Sequence, residues 1–223
     1  MIGRYWNGKT CMLHNKHKFP AGLSNYWSLR TSLEDVVSMK NLSFGTNAFK
    51  VVSKTEWPYG YLSLRVGYCT APNGVYFNGD FTVTAWIRVH QKGQYSRLIN
   101  FGNGMATDNI VFAYEHYEII SPFSVVVGSN YITYSSAYLE VNKWEYITTA
   151  LCGSVLSIYI NGTLVGQQTS PIARNILRTN NYVGSNWRTN SDASADIVEL
   201  RILNRCLSAN QIKDEMDNIN YYV

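Results

Sequence analysis

The chain has 223 residues, of which 46% are hydrophobic and 15% charged, and its formal net charge is +4. No run of about 18 apolar residues occurs, which excludes a membrane-spanning helix, and the basic residues are too scattered for nucleic-acid binding. This length suits one large all-β domain, because β-sandwiches often reach ~200–250 residues without dividing.

Residues 1–23 show no steady hydrophobic period and contain the breakers Pro20 and Gly22, so we interpret them as an extension before the domain. They lack the apolar core of a secretory leader, which leaves a cytosolic protein or a piece of a longer secreted product as alternatives. The extension has no core of its own. It can therefore add to an exposed sheet edge of its own chain or of a neighbouring copy.

Short segments of alternating apolar and polar residues recur from Tyr26 onward, separated by Asn, Gly, Ser and Pro. The clearest is DFTVTAWIRVH, in which every second residue from Phe81 to Val89 faces one side. Segment 155–166 predicts two strands joined by Asn161-Gly162, because both residues tolerate the positive φ of a tight turn. Further strands are predicted at 61–66, 97–101, 109–114, 123–127, 144–151 and 197–203. This pattern indicates an all-β, two-sheet antiparallel sandwich or jelly roll.

One short helix is predicted at 208–217. Ser208 and Gln211 have capping-box spacing, and Ile212 and Met216 follow at helical spacing. The expected domain therefore spans residues 24–217, and residues 218–223 form a tail.

Seven ordered segments resemble laminin-G-like domains of the concanavalin A-like lectin/glucanase superfamily. They are GVYFNGDFTVTAWIRV, RLINFGNG, DNIVF, NKWEYITTAL, LSIYINGTLVG, NNYVGSNW and ADIVELRILNRCLSANQI. The resemblance covers about residues 24–217 and implies a jelly roll whose first and last strands are neighbours. It also implies an adhesion or ligand-recognition module of an extracellular protein.

Glycoside hydrolases need two facing carboxylates ~5–9.5 Å apart. The E-x-D-x-E pattern of glucanase relatives is absent, and so is a G-x-S-x-G nucleophile elbow. Glu115 and Glu118, like Asp196 and Glu199, are three residues apart, so on a regular strand they point to opposite faces. The sequence therefore predicts a protein with no catalytic residues.

Two predicted loops combine aromatic rings with hydrogen-bonding side chains, as carbohydrate sites do. One contains Tyr95 and Arg97, and the other contains Asn186, Trp187 and Arg188. We expect these five residues to contact a carbohydrate or protein ligand.

Some relatives bind calcium at the rim of the sandwich, and the matching segment here contains Asp108 and Asn109. Asn100 stands where we expect Asp in many relatives, which removes a charge. The expectation is no cofactor, with calcium at Asp108 and Asn109 as the alternative.

Cys11, His14 and His17 form C-x-x-H-x-x-H, which lacks a fourth zinc ligand.

The four cysteines Cys11, Cys69, Cys152 and Cys206 contain no C-x-x-C pair. Their even number in a β protein predicts two disulfides and an oxidising compartment, with four buried thiols as the alternative. Sequence cannot choose among the three connectivities. The family resemblance favours Cys69 with Cys206, because the first and last strands are neighbours in that family.

Asn41-Leu42-Ser43 and Asn161-Gly162-Thr163 are N-glycosylation sequons, and we expect Asn161 to be exposed at a hairpin tip.

Together these features predict a non-catalytic, lectin-like extracellular module for adhesion or for carbohydrate or protein binding. The alternative is a structural subunit that self-assembles, as an oligomer or fibre, through its terminal arm.

Overall fold

Two antiparallel β-sheets packed face to face, followed by one helix, make up the domain. The computed structural model describes residues 3–6, 11–14, 19–53, 55, 57, 60–91, 96–104, 108–114, 123–128, 130–134, 138–185 and 192–217. Residues 3–6, 11–14, 123–126 and 130–134 are described by their backbone alone. The predicted all-β sandwich with one short C-terminal helix is confirmed.

In chain order the elements are β1 (Gly3–Trp6), β2 (Cys11–His14), β3 (Leu23–Trp27), β4 (Ser43–Phe44), β5 (Ala48–Val51), β6 (Tyr61–Gly67), β7 (Cys69–Ala71), β8 (Phe81–Val89), β9 (Arg97–Gly102), β10 (Asn109–Ala113), β11 (Phe123–Gly128), β12 (Asn130–Tyr134), β13 (Trp144–Cys152), β14 (Val155–Ile160), β15 (Thr163–Thr169), β16 (Asn180–Val183), β17 (Ala193–Leu203) and α1 (Ala209–Asp217). The eight-stranded sheet has the order β15-β14-β13-β8-β17-β6-β5, with β3 beside β17. The seven-stranded sheet has the order β12-β11-β10-β9-β16-β7-β4.

The core lies between the two sheets. The predicted inward side chains of β8, from Phe81 to Val89 in alternation, are all buried. Ile99 and Phe101 of the seven-stranded sheet belong to the same hydrophobic cluster. The side chains of β8 between these inward ones point away from the core, onto the outward face of the eight-stranded sheet.

The Asn-Gly turn and the helix start form as predicted. Asn161 and Gly162 have φ values of 50° and 72°, and Asn161 Oδ1 accepts a hydrogen bond from the Tyr146 N–H at 2.8 Å. Asn161 is exposed, as is Asn41, and glycosylation of either residue stays a prediction. The Ser208 N–H donates to Gln211 Oε1 at 2.9 Å, which caps α1.

The terminal extension is a separate element in the described backbone. β1 and β2 pair with each other, and neither joins one of the two larger sheets. Self-assembly through this arm and the boundaries 1–23, 24–217 and 218–223 stay predictions. Within the described part of the chain, no helix is both long and apolar enough to cross a membrane.

The cysteine pairing predicted from the family resemblance is wrong. Cys152 at the end of β13 bonds Cys206 after β17, with Cα atoms 5.1 Å apart. β13 and β17 lie on either side of β8 and run antiparallel to it. Their C-terminal ends therefore lie close together, next to the first residue of β8. Cys69 lies in the other sheet with a free thiol, so the expectation of two disulfides is corrected. Burial raises the pKa of Cys69 to about 12 and keeps this thiol protonated, while the Cys11 side chain lies outside the described residues.

We expect the Cys152–Cys206 bond to stabilise the fold through its long closed loop. With a sequence separation of 54, the chain-entropy contribution is about 4 kcal/mol. Replacing both cysteines by Ser should lower the free energy of unfolding in urea by about this amount. Reduction of the parent protein should lower it equally. An unchanged unfolding free energy after reduction would contradict the assignment.

Candidate functional site

The two predicted ligand loops have neighbouring stems. Tyr95, Asn186, Trp187 and Arg188 lie outside the described residues, and Arg97 is half-buried at the start of β9. The N–H of His90, before the first loop, donates to the Ser194 carbonyl, after the second, at 2.9 Å. His90 and Ser194, the described residues beside these loops, therefore lie at the same end of the sandwich.

A polar and aromatic surface lies beside these stems, on the outward face of the eight-stranded sheet. Trp144 of β13 stands opposite Arg88 of β8, Arg88 opposite Asp196 of β17, and Asp196 opposite Ser63 of β6. Paired residues in neighbouring strands have Cβ atoms about 5 Å apart, so these four side chains form one row. We call this surface the Asp196 face; its residues are Tyr61, Ser63, Arg65, Trp86, Arg88, His90, Trp144 and Asp196.

Asp196 is the anchor of this face and is completely buried. Its Oδ1 accepts hydrogen bonds from Ser63 Oγ at 2.6 Å and Arg65 Nη1 at 3.1 Å. Its Oδ2 accepts from Arg88 Nε at 3.0 Å and Nη2 at 2.7 Å, and His90 Nε2 lies 2.8 Å away. Burial raises the pKa of Asp196, but the bonds from Ser63, Arg88 and His90 outweigh burial and lower the pKa below its ordinary value.

Aromatic rings surround the Arg88 guanidinium. Its central carbon lies 5.3 Å from the ring centre of Tyr61 and 5.0 Å from that of Trp144. Trp57, between β5 and β6, lies 5.4 Å from Trp144 and 5.6 Å from Trp86, measured between ring centres. Tyr61, Trp86 and Trp144 are half-buried. Cation–π contacts thus hold the guanidinium and the rings in one arrangement.

Hydrogen-bond donors exceed acceptors on the Asp196 face. Asp196 is occupied by its own partners, whereas Arg65, 48% exposed, contacts the described residues through Nη1 alone. The indole N–H groups of Trp86 and Trp144 are buried without an acceptor in the described part of the chain. These two N–H groups are too buried to reach a ligand. The exposed part of Arg65 can donate hydrogen bonds to sugar oxygens, and the half-buried rings can stack against a sugar ring.

The structure corrects the expectation that Asp196 and Glu199 point to opposite faces. The register shifts between Val198 and Arg201, and Glu199 has a φ of 58°. This bulge turns Glu199 to the same face, where it lies 2.9 Å from Arg30 Nε and 2.6 Å from Arg201 Nη2. Both carboxylates are buried and held by guanidinium groups, so neither lies open to a ligand. Glu115 and Glu118 lie outside the described residues.

The predicted calcium ligands lie at the other end of the sandwich, where β9 ends and β10 begins. Arg174 Nη1 binds both carboxylate oxygens of Asp108, at 2.9 and 3.0 Å. Asn109 Oδ1 accepts from the Asn103 N–H at 3.2 Å, and its Nδ2 donates to the Gly104 carbonyl at 3.1 Å. The side chains expected to bind calcium therefore have protein partners.

A second arginine, Arg178, is buried beside Asp108 and Arg174 at this end of the sandwich. The fully buried Arg178 guanidinium donates to the carbonyls of Asp108 at 3.1 Å, Arg174 at 3.3 Å and Ile176 at 3.5 Å. Carbonyl oxygens are ligands that calcium also prefers, and here a guanidinium occupies them. Across the described residues, no three or more His, Cys, Asp or Glu side chains are grouped to hold a metal ion.

Sequence comparison agrees with this architecture. A family profile described as the concanavalin A-like lectin/glucanases superfamily matches residues 65–213, more than half of the chain. The chain belongs to this superfamily. The predicted family resemblance is thereby confirmed. A search of curated proteins found no match.

Several solved structures share this concanavalin A-like fold. Domain 4 of AbnA, a GH43 extracellular arabinanase from Geobacillus stearothermophilus solved with arabinotriose, matches with a TM-score of 0.73 and 17% identity, over 87% of this chain and 98% of that one. The binding domain of Paraclostridial Mosquitocidal Protein 1 has a TM-score of 0.64 and 15% identity, over 90% and 52% of the two chains. Trypanosoma rangeli sialidase has a TM-score of 0.65 and 18% identity, over 89% of this chain but 33% of its own. At these identities the likeness shows the fold.

The sequence alone predicts only part of the Asp196 face. The alternation of β8 places Trp86, Arg88 and His90 together on the outward side. Asp196 and Trp144 come from strands more than fifty residues further along the chain, and no local pattern links them to β8.

We expect Asp196→Asn to lower the free energy of unfolding by roughly 1.5–3 kcal/mol at neutral pH, because Arg88 and its neighbours lose their charged hydrogen-bond acceptor. The folded-state pKa lies below the ordinary 3.8, so this stabilisation is present above that pH and is lost as pH falls through the folded value. The difference from the parent should therefore shrink in acid. Urea unfolding across pH measures it, with the exposed Asp214→Asn as control. A difference that persists unchanged in acid would contradict the charge assignment.

We expect calcium to leave the melting temperature unchanged. Arg174 already neutralises Asp108, and the buried charge of Arg178 repels a divalent ion. Thermal unfolding in excess calcium and in excess chelator should give the same midpoint. A midpoint that rises with calcium and falls with chelator would show that the ion binds the folded state.

Proposed function

We propose that this concanavalin A-like domain is a non-catalytic carbohydrate-binding module of an extracellular protein, and that the ligand binds on the Asp196 face. The observation that carries this proposal is the Arg88 guanidinium, held between Tyr61 and Trp144 and fixed by the buried Asp196. Polar contacts fixed before binding cost less ordering when the ligand arrives.

Half-buried aromatic rings provide the stacking surface. Tyr61 and Trp144 lie 5.8 Å apart between ring centres and are nearly perpendicular, at 71°. Each can stack against an apolar face of a sugar, while Arg65 donates hydrogen bonds to the hydroxyl and ring oxygens. Arg65 contacts Asp196 through Nη1, so the buried carboxylate orients this donor.

The predicted loop residues extend this proposal beyond the sheet. Tyr95 and Trp187 belong to the two loops whose stems meet at His90 and Ser194. A supporting part of these two residues in ligand contact stays a prediction.

The extracellular assignment is supported by the Cys152–Cys206 disulfide, since disulfides persist mainly in oxidising compartments. Domain 4 of AbnA, which shares the fold, belongs to an extracellular arabinanase and was solved with an arabinotriose ligand. These two points support a secreted carbohydrate-binding role, and adhesion would be one use of it.

Tyr61→Ala and Trp144→Ala should each weaken carbohydrate binding by about 10- to 100-fold, as loss of ~1–3 kcal/mol of stacking predicts. A glycan array identifies the ligand, and calorimetry then compares each variant with the parent. Trp187→Ala, measured alongside, reports the contribution of the loop.

Tyr182→Ala is the matched control, because Tyr182 is a half-buried ring paired with Tyr68 on the seven-stranded sheet, 5.8 Å away between ring centres. It should bind like the parent. Unfolding midpoints check that every variant is folded. If the Tyr61 and Trp144 variants are folded and retain full affinity, the proposed face is wrong.

A further inference from the structure

A pocket of about 170 Å³ opens at the rim of the sandwich opposite the loop stems. We call it the rim pocket; it is lined by Asp108, Ile110, Val127, Gly128, Pro171, Ile172, Arg174 and Arg178. This volume is below the ~300–1,000 Å³ of sites for drug-sized ligands, so the pocket suits a small ligand. The Asp196 face shares none of these residues.

The charges of the rim pocket do not balance. Arg174 and Arg178 each carry a positive charge, whereas Asp108 is the one carboxylate among the described residues that line the pocket. Asp108 uses both carboxylate oxygens on Arg174 Nη1. The pocket therefore holds an excess of one positive charge.

Arg178 is the source of the excess. It is fully buried, and its hydrogen-bond acceptors among the described residues are three backbone carbonyls and no carboxylate. The ring centre of Phe77 lies 5.4 Å from its guanidinium carbon. Buried charges are usually paired with an opposite charge, because carbonyl dipoles offset only part of the cost of desolvation. Burial accordingly lowers the pKa of Arg178 to about 10.

Arg174 supplies donors that a ligand can reach. Its side chain is 69% exposed, and within the described part of the chain only Nη1 bonds a side-chain partner. Nε and Nη2 can therefore approach a bound anion, with the charge of Arg178 behind them. Val127 gives the pocket a buried apolar wall, and the exposed side chains of Pro171 and Ile172 lie at its edge.

We infer that the rim pocket is a second binding site, which takes the carboxylate of a small acidic ligand about one sugar acid in size. The carboxylate accepts hydrogen bonds from Arg174, and its charge compensates the excess created by Arg178. The ring or short chain of the ligand lies against the apolar wall. A planar guanidinium matches a carboxylate better than it matches a hydroxyl.

Calorimetric titration with glucuronate and galacturonate, each beside its neutral counterpart glucose or galactose, tests this inference. At least one acid should bind 10-fold or more tightly than its counterpart and weaken as salt is added, because the contact is ionic. Arg174→Gln should reduce the affinity for that acid about 10-fold. Arg65→Gln removes the same charge from the Asp196 face and should leave this affinity unchanged.

The inference is overturned if neither acid binds better than its neutral sugar, or if Arg174→Gln binds the acid like the parent. It is also overturned if Arg65→Gln, rather than Arg174→Gln, abolishes acid binding, since the acid then occupies the Asp196 face. The Tyr61 and Trp144 variants should bind the acid normally. The carbohydrate proposal for the Asp196 face is therefore judged separately.

Discussion

The ion pairing of two buried carboxylates on β17 is the constraint on which the eight-stranded sheet depends. Asp196 is bound by groups from β6 and β8, and Glu199 by Arg30 and Arg201. A carboxylate without these partners would be too costly to bury, so the neighbouring strands must keep their register. The same contacts that hold the strands together also fix the side chains of the Asp196 face.

The outward face of this sheet has two parts, one covered by a helix and one that carries the proposed ligand site. Helix α1 covers one part through Ile212, which packs with Tyr146, Tyr159 and Leu203. Trp57 packs against Trp86 and Trp144 in another part. Asp196 and Ser63 are buried there, whereas Arg65 is 48% exposed and Tyr61 and Trp144 are half-buried. That exposure makes this part of the sheet, rather than the helix-covered part, suitable for a ligand.

At the rim at the other end, two guanidinium groups bind a carboxylate and a set of backbone carbonyls. Arg178 brings a positive charge to a set of backbone carbonyls, and Arg174 neutralises Asp108. A guanidinium that is part of the chain supplies its charge without an ion from solution. It carries a single positive charge, and its planar shape fixes the directions in which it donates hydrogen bonds. The rim pocket lies open beside the Arg178 guanidinium, and its described lining carries an excess of positive charge.

The sequence by itself determined the local elements of this protein. The alternation of β8 predicts its buried face, and Asn161-Gly162 predicts the hairpin turn, because both depend on neighbouring residues. Only the tertiary structure decided the partner of Cys206, the face of Glu199 and the grouping around Asp196. These depend on strand order, on one bulge and on register between strands far apart in the chain. A change of one residue in register would move a side chain to the opposite face.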